Sequence, residues 1–126
     1  MKYFTPEEAS QTLPYVKRLV EDALHAGKTL RSLYDLYGDS VAEREDYQNN
    51  ANLFKKVMNE FQQLGCDYKD WNFEVGLVDF PAIIDGQEVL LCWKSDEASL
   101  QFYHGMHDGF AGRKPIPQDL FKTKLV

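Results

Sequence analysis

From Leu13 onward the chain places apolar residues at alternating steps of three and four: Leu13, Val16, Val20, Ala23, Gly27, Leu30, Tyr34 and Tyr37. This spacing draws one stripe along an α-helix, the coiled-coil-like seam of a packed helix pair. Ala23 and Gly27 are small, so a partner helix can come close there. Ahead of the stripe, Thr5-Pro6-Glu7-Glu8 reads as a helix start. Thr5 caps the free N–H groups, Pro6 suits the first helical position, and Glu8 completes a capping box. Thr12 and Pro14 repeat the signal. Pro14 lacks the N–H that would bond to the preceding turn, so the pattern predicts a short helix to about residue 12 and a long one beyond. Gly38-Asp39-Ser40 ends the long helix. A second stripe, Tyr47, Ala51, Phe54, Met58 and Phe61, closes at Leu64-Gly65. Two helices joined by a short polar link predict an antiparallel hairpin over residues 1–65.

Beyond Gly65 the periodicity shortens. The run "IIDGQEV" places Asp85-Gly86 between two β-rich segments, a strong hairpin signal. With those residues as the turn, Ile84 faces Gln87, Phe80 faces Leu91, and Asp79 lies opposite Cys92, diagonal to Lys94. The run "SLQFYH", after the link Ser95-Asp96-Glu97, predicts a third antiparallel strand. The rest, rich in Gly and Pro, reads as ordered loop and then a short helical piece or frayed tail. The predicted fold is α+β: a long antiparallel helical hairpin packed on a sheet of about three antiparallel strands. It forms a single domain over residues 1–126, with residues 66–126 as β-meander and C-terminal loop. Both faces of this sheet are partly apolar. One carries Val78, Phe80, Ala82, Val89, Leu91 and Trp93; the other carries Leu77, Pro81, Ile83, Leu90 and Cys92. One hairpin covers only one face. The second must be covered by the C-terminal loop, another subunit or a ligand, which leads to the expectation of a homo-oligomer, most simply a dimer.

Composition narrows the classes. The 126 residues carry a formal charge of -6, whereas nucleic-acid footprints are basic, and the same charge disfavours an anionic membrane surface. No apolar run approaches the roughly 18 residues of a membrane span. The start "MKYFTPEEAS" lacks the apolar core of a signal peptide. A cytoplasmic protein is therefore expected, with Cys66 and Cys92 reduced.

Candidate chemistry begins at "GLVDFPAIID", where Asp79 and Pro81 interrupt an apolar strand. A buried carboxylate is costly unless paired. Three readings are open: Asp79 pairs with Lys94 or Arg113, binds a ligand together with them, or ligates a metal. Pro81 marks a strand edge or bulge. In "YHGMHDGFAGRKP", His104, His107 and Asp108 offer imidazole and carboxylate within a short span. With Asp79 they suit zinc, iron or manganese. The competing reading makes His104 a hydrogen-bonded strand-end residue and His107 a solvated one. His25, beside the helical seam, is expected at the surface. Gly109, Gly112 and Arg113 form either a turn that aims Arg113 at Asp79 or, with Lys114, an anion site for a phosphorylated or carboxylated small molecule. No serine or cysteine nucleophile motif is present; Cys92 reads as a strand residue without a base at fixed spacing.

The blocks "YFTPEEA", "GLVDFPA", "GQEVLLCWK", "FYH" and "GFAGRKPI" resemble, in order and over nearly the whole chain, the short bacterial and archaeal family called domain of unknown function 2203. The resemblance implies an α+β domain with a helical hairpin and small sheet, and supplies no established activity, substrate or cofactor to carry over. What marks the family falls on Asp79, Pro81, Cys92, Trp93, His104, Gly109, Phe110, Gly112 and Arg113. The chain departs from it at Lys94, where arginine is usual, and at Tyr103, where tryptophan is usual. Two functional readings follow. The first is a homo-oligomeric interaction or small-ligand-binding protein without a cofactor, whose ligand residues are Asp79, Lys94, His104 and Arg113. The second is a metal-dependent, hydrolase-like enzyme holding a divalent ion on Asp79, His104 and His107.

Overall fold

The computed structural model describes residues 2–121. Helix α1 spans Pro6–Tyr37. It starts as the sequence predicts: Glu8 N–H donates to Thr5 Oγ1 (3.0 Å) and Thr5 N–H donates to the Glu8 carboxylate (3.1 Å). The predicted break at Pro14 does not occur. Pro14 lies on the exposed side of α1, away from the core, and the helix continues through it with one intrahelical bond fewer. The stripe is core only as far as Gly27. Leu30 is half-buried, and Tyr34 and Tyr37 are exposed, beyond the reach of the sheet. A short 3-10 stretch, Gly38–Glu43, leads into α2, Glu45–Leu64. Gly65 ends α2 with a left-handed φ of 88°, a conformation glycine adopts without strain.

The sheet has five strands rather than about three, all antiparallel, in the order β1-β2-β3-β4-β5. They are β1 Asp67–Tyr68, β2 Leu77–Ile84, β3 Gln87–Lys94, β4 Phe102–Gly105 and β5 Lys114–Pro115. The two additional strands lie at the edges and are two residues long, too short to show any alternation in sequence. The central hairpin has the predicted register: Ile84 faces Gln87, Phe80 faces Leu91, and Asp79 faces Cys92. Asp85 and Gly86 both take positive φ, 52° and 77°, as a turn matched to strand twist requires. Strand β4 begins three residues later than the run "SLQFYH" and extends to Gly105. After β5, residues Gln118–Phe121 form a 3-10 turn; the remainder of the predicted tail lies outside the described residues.

Val78, Phe80, Ala82, Val89, Leu91 and Trp93 form the inner face of the sheet and pack with Leu13, Val16, Val20, Ala23, Val57 and Phe61 in one core. Pro81 sits where its missing N–H costs little. Its carbonyl accepts from Phe4 N–H (2.7 Å), and a strand residue's N–H and C=O point to the same side. The absent donor therefore faces the N-terminal segment, not the β3 ladder. Residues Met106, His107, Gly109 and Phe110 partly cover the outer face, while Ile83 on the same face is 52% exposed.

Buried groups carry a pH signature. Burial pushes the Cys66 thiol from an ordinary 9.0 up to about 12, with the Asp67 charge adding to it. Burial likewise raises the Tyr68 hydroxyl to about 12. In alkali the folded chain keeps protons that the unfolded chain releases, so stability falls as pH rises above the unfolded values. The expected slope is about 1.4 kcal/mol per pH unit above about pH 9 for each of Cys66 and Cys92, whose buried thiol is likewise raised to about 12, with Tyr68 adding to it above about pH 10. Urea unfolding at about pH 7 and about pH 10.5 measures this, and Cys66→Ala should flatten the early part of the decline.

Candidate metal centre

Strand pairing assembles the site. Asp79 on β2 is opposite Cys92 on β3, Cys92 is opposite Phe102 on β4, and His104 is opposite Leu90. Alternation along each strand sends Asp79, Cys92 and His104 to the outer face. One ligand atom from each converges with the others, all within 4.8 Å of one another, and all three residues are buried. His104 Nε2 lies 3.3 Å from Asp79 Oδ1.

Hydrogen bonds set the protonation pattern. His104 Nδ1 is 2.8 Å from the Gly105 carbonyl oxygen. A carbonyl only accepts, so Nδ1 carries the ring proton and donates it. That leaves Nε2 pointing at Asp79. Burial raises the Asp79 carboxyl, against the opposing effects of the His104 charge and hydrogen bond, the Lys69 charge and the Cys92 hydrogen bond. Burial, and then the Asp79 charge, push the Cys92 thiol up to about 12. Burial thus favours the protonated forms of Asp79 and Cys92. A metal ion can displace those protons, and the Nδ1–H to carbonyl bond is the support that metal-bound histidines usually have.

The expected pairing of Asp79 with Lys94 or Arg113 is not what forms; Asp79 pairs with His104. Lys94 Nζ lies 3.2 Å from Asp96. Arg113 is sandwiched between the rings of Phe102 (4.2 Å) and Phe110 (4.6 Å). Its Nη2 donates to Glu97 Oε1 (2.6 Å) and to the Cys92 carbonyl (3.1 Å). Arg113 therefore fixes the backbone behind Cys92 rather than reaching Asp79. That commitment also removes it from the expected anion site with Gly112 and Lys114. Asp108 closes the turn after β4, accepting from Gly105 N–H (3.2 Å). His25 is exposed, as expected.

The cluster forms part of the floor of a hollow of about 360 Å³ lined also by Lys69, Leu77, Leu90, Met106, His107, Gly109 and Phe110. His107 is thus beside the cluster without belonging to the converging trio, and Lys94 and Arg113 do not line the hollow. Asp79 and His104 are expected from the sequence at such a site; Cys92 is not, although the hairpin register puts it opposite Asp79. The signal lay in combining that register with His104 two strands away.

The family described as "Uncharacterized conserved protein (DUF2203)" matches residues 2–116. No curated protein and no solved structure matches the chain.

Proposed function

The chain belongs to the DUF2203 family, and for it we propose a metal-binding function: Asp79, Cys92 and His104 hold one divalent transition-metal ion, zinc before others. One observation carries this reading. An imidazole nitrogen, a sulfur and a carboxyl oxygen converge within 4.8 Å, and the histidine's other nitrogen is already engaged by a backbone carbonyl. A tetrahedral zinc ion, with bonds of about 2.0–2.3 Å, needs its donors roughly 3.3–3.8 Å apart. The Asp79–His104 separation of 3.3 Å meets that distance, and the widest separation needs a contraction of about 1 Å, within side-chain adjustment. Sulfur and imidazole favour zinc over magnesium or calcium, which prefer oxygen donors. With three protein ligands, the fourth position opens to the hollow. The small-ligand reading and the metal reading of the sequence thereby become one site, with Cys92 in the place expected of His107.

Calorimetric titration of metal-free protein with zinc tests this. One ion per chain should bind. Cys92→Ser or His104→Ala should weaken binding by about a hundredfold or more, beyond the loss typical of supporting residues, whereas His107→Ala should retain most of it. A wild-type protein that takes up no stoichiometric zinc and gains no thermal stability from it rejects the function.

A further inference from the structure

Resting on that metal site, we infer that the hollow above it binds a small organic acid. The carboxylate occupies the ion's open position beside Lys69, and the apolar body lies against Leu77, Leu90, Met106 and Phe110.

Charge arithmetic points to an anion. A dication with the Asp79 carboxylate, the Cys92 thiolate and a neutral His104 sums to zero. Lys69 then adds one positive charge at the wall of the hollow. None of the ion pairs among the described residues engages its ammonium group. A cationic ligand would be repelled, and a neutral one would leave the lysine without a counter-charge.

The walls select the rest of the ligand. Leu77 and Leu90 flank the metal ligands on their own strands, so they lie on the same outer face. Met106 and Phe110 face them from the loop after β4 and are 42% and 46% exposed. Apolar walls around a few convergent polar groups are the usual form of a small-molecule site, and about 360 Å³ lies near the small end of the roughly 300–1,000 Å³ range. Inorganic phosphate fits less well. It offers nothing to the apolar walls and asks for more donors than one lysine provides.

Cobalt(II)-loaded protein provides the test, because visible absorption reports on a ligand entering the open position. Hexanoate should change the spectrum saturably and raise the melting temperature of the loaded protein but not of the metal-free protein. Hexylamine, hexanol and phosphate should not. Lys69→Gln, an exposed position, should weaken hexanoate by about tenfold and leave cobalt stoichiometry unchanged. A peptide C-terminus offers the same carboxylate, so an acetylated tetrapeptide ending in leucine is run in parallel; tighter binding of the peptide overturns the small-acid assignment. Hexanoate without effect on protein that holds cobalt, or with equal affinity for Lys69→Gln, overturns this inference alone. Failure of cobalt to bind overturns the metal reading with it.

Discussion

Replacing Trp93 with alanine is expected to lower the unfolding free energy by about 3–5 kcal/mol, the usual range for truncating a large buried aromatic. Trp93 is 2% exposed and faces Val78 on the inner side of the sheet. Its indole Nε1–H donates to the Glu97 carbonyl (2.9 Å). The Glu97 carboxylate in turn accepts from Lys94 N–H (2.8 Å) and from Arg113. Loss of the indole therefore opens a cavity under α1 and frees the link that carries Glu97. Arg113, which also holds the Cys92 carbonyl, would lose part of its own anchorage. The other tryptophan provides the comparison. Trp71 is 55% exposed and meets Phe54 and Tyr68 only edge-on, so Trp71→Ala should cost about 1 kcal/mol or less. Urea unfolding at neutral pH separates the two. Equal losses would mean that the inner sheet face is not the centre of the core.

The second large effect concerns the cluster in metal-free protein. His104→Leu alone should destabilise by about 3 kcal/mol, because it leaves the Asp79 carboxyl buried without its partner. Proton uptake by Asp79, whose carboxyl is already raised by burial, keeps the loss at the lower end of the usual range for a broken buried pair. The double substitution Asp79→Leu with His104→Leu should return to within about 1 kcal/mol of wild type, since two apolar residues replace a pair that gains little once its desolvation is counted. Unfolding in the presence of chelator measures this cycle. Adding zinc should then stabilise wild type and leave the double variant unchanged. A double variant as unstable as the single one would show that the pair contributes to folding in its own right, and is not kept for binding.

Parts of this architecture were legible because their determinants are local. The Thr5–Glu8 capping box lies within one turn, and the Asp85-Gly86 turn sets the register of eight residue pairs, including Asp79 with Cys92. What escaped depends on partners distant in sequence. Whether Pro14 breaks a helix depends on which side of α1 faces water. The register of β4 is set by the link through Ser95 and Glu97, which no spacing rule describes, so His104 could not be aligned with Leu90 and thus set beside Cys92. Arg113 presents the same difficulty. Its charge suggested Asp79, but the aromatic sandwich of Phe102 and Phe110 with the Glu97 carboxylate holds it elsewhere. Two-residue edge strands leave no pattern at all. The carboxylate at Asp79 nevertheless lies where the fold brings Cys92 and His104 together: a charge in an apolar strand marks the place where the fold gathers its other polar groups.

Zinc K-edge X-ray absorption of the loaded protein tests the central claim most directly. The metal centre predicts a first shell with one sulfur at about 2.3 Å and nitrogen or oxygen neighbours at about 2.0–2.1 Å, with the sulfur lost in Cys92→Ser. A shell of nitrogen and oxygen alone in the wild-type protein, or a sulfur that survives Cys92→Ser, would contradict it.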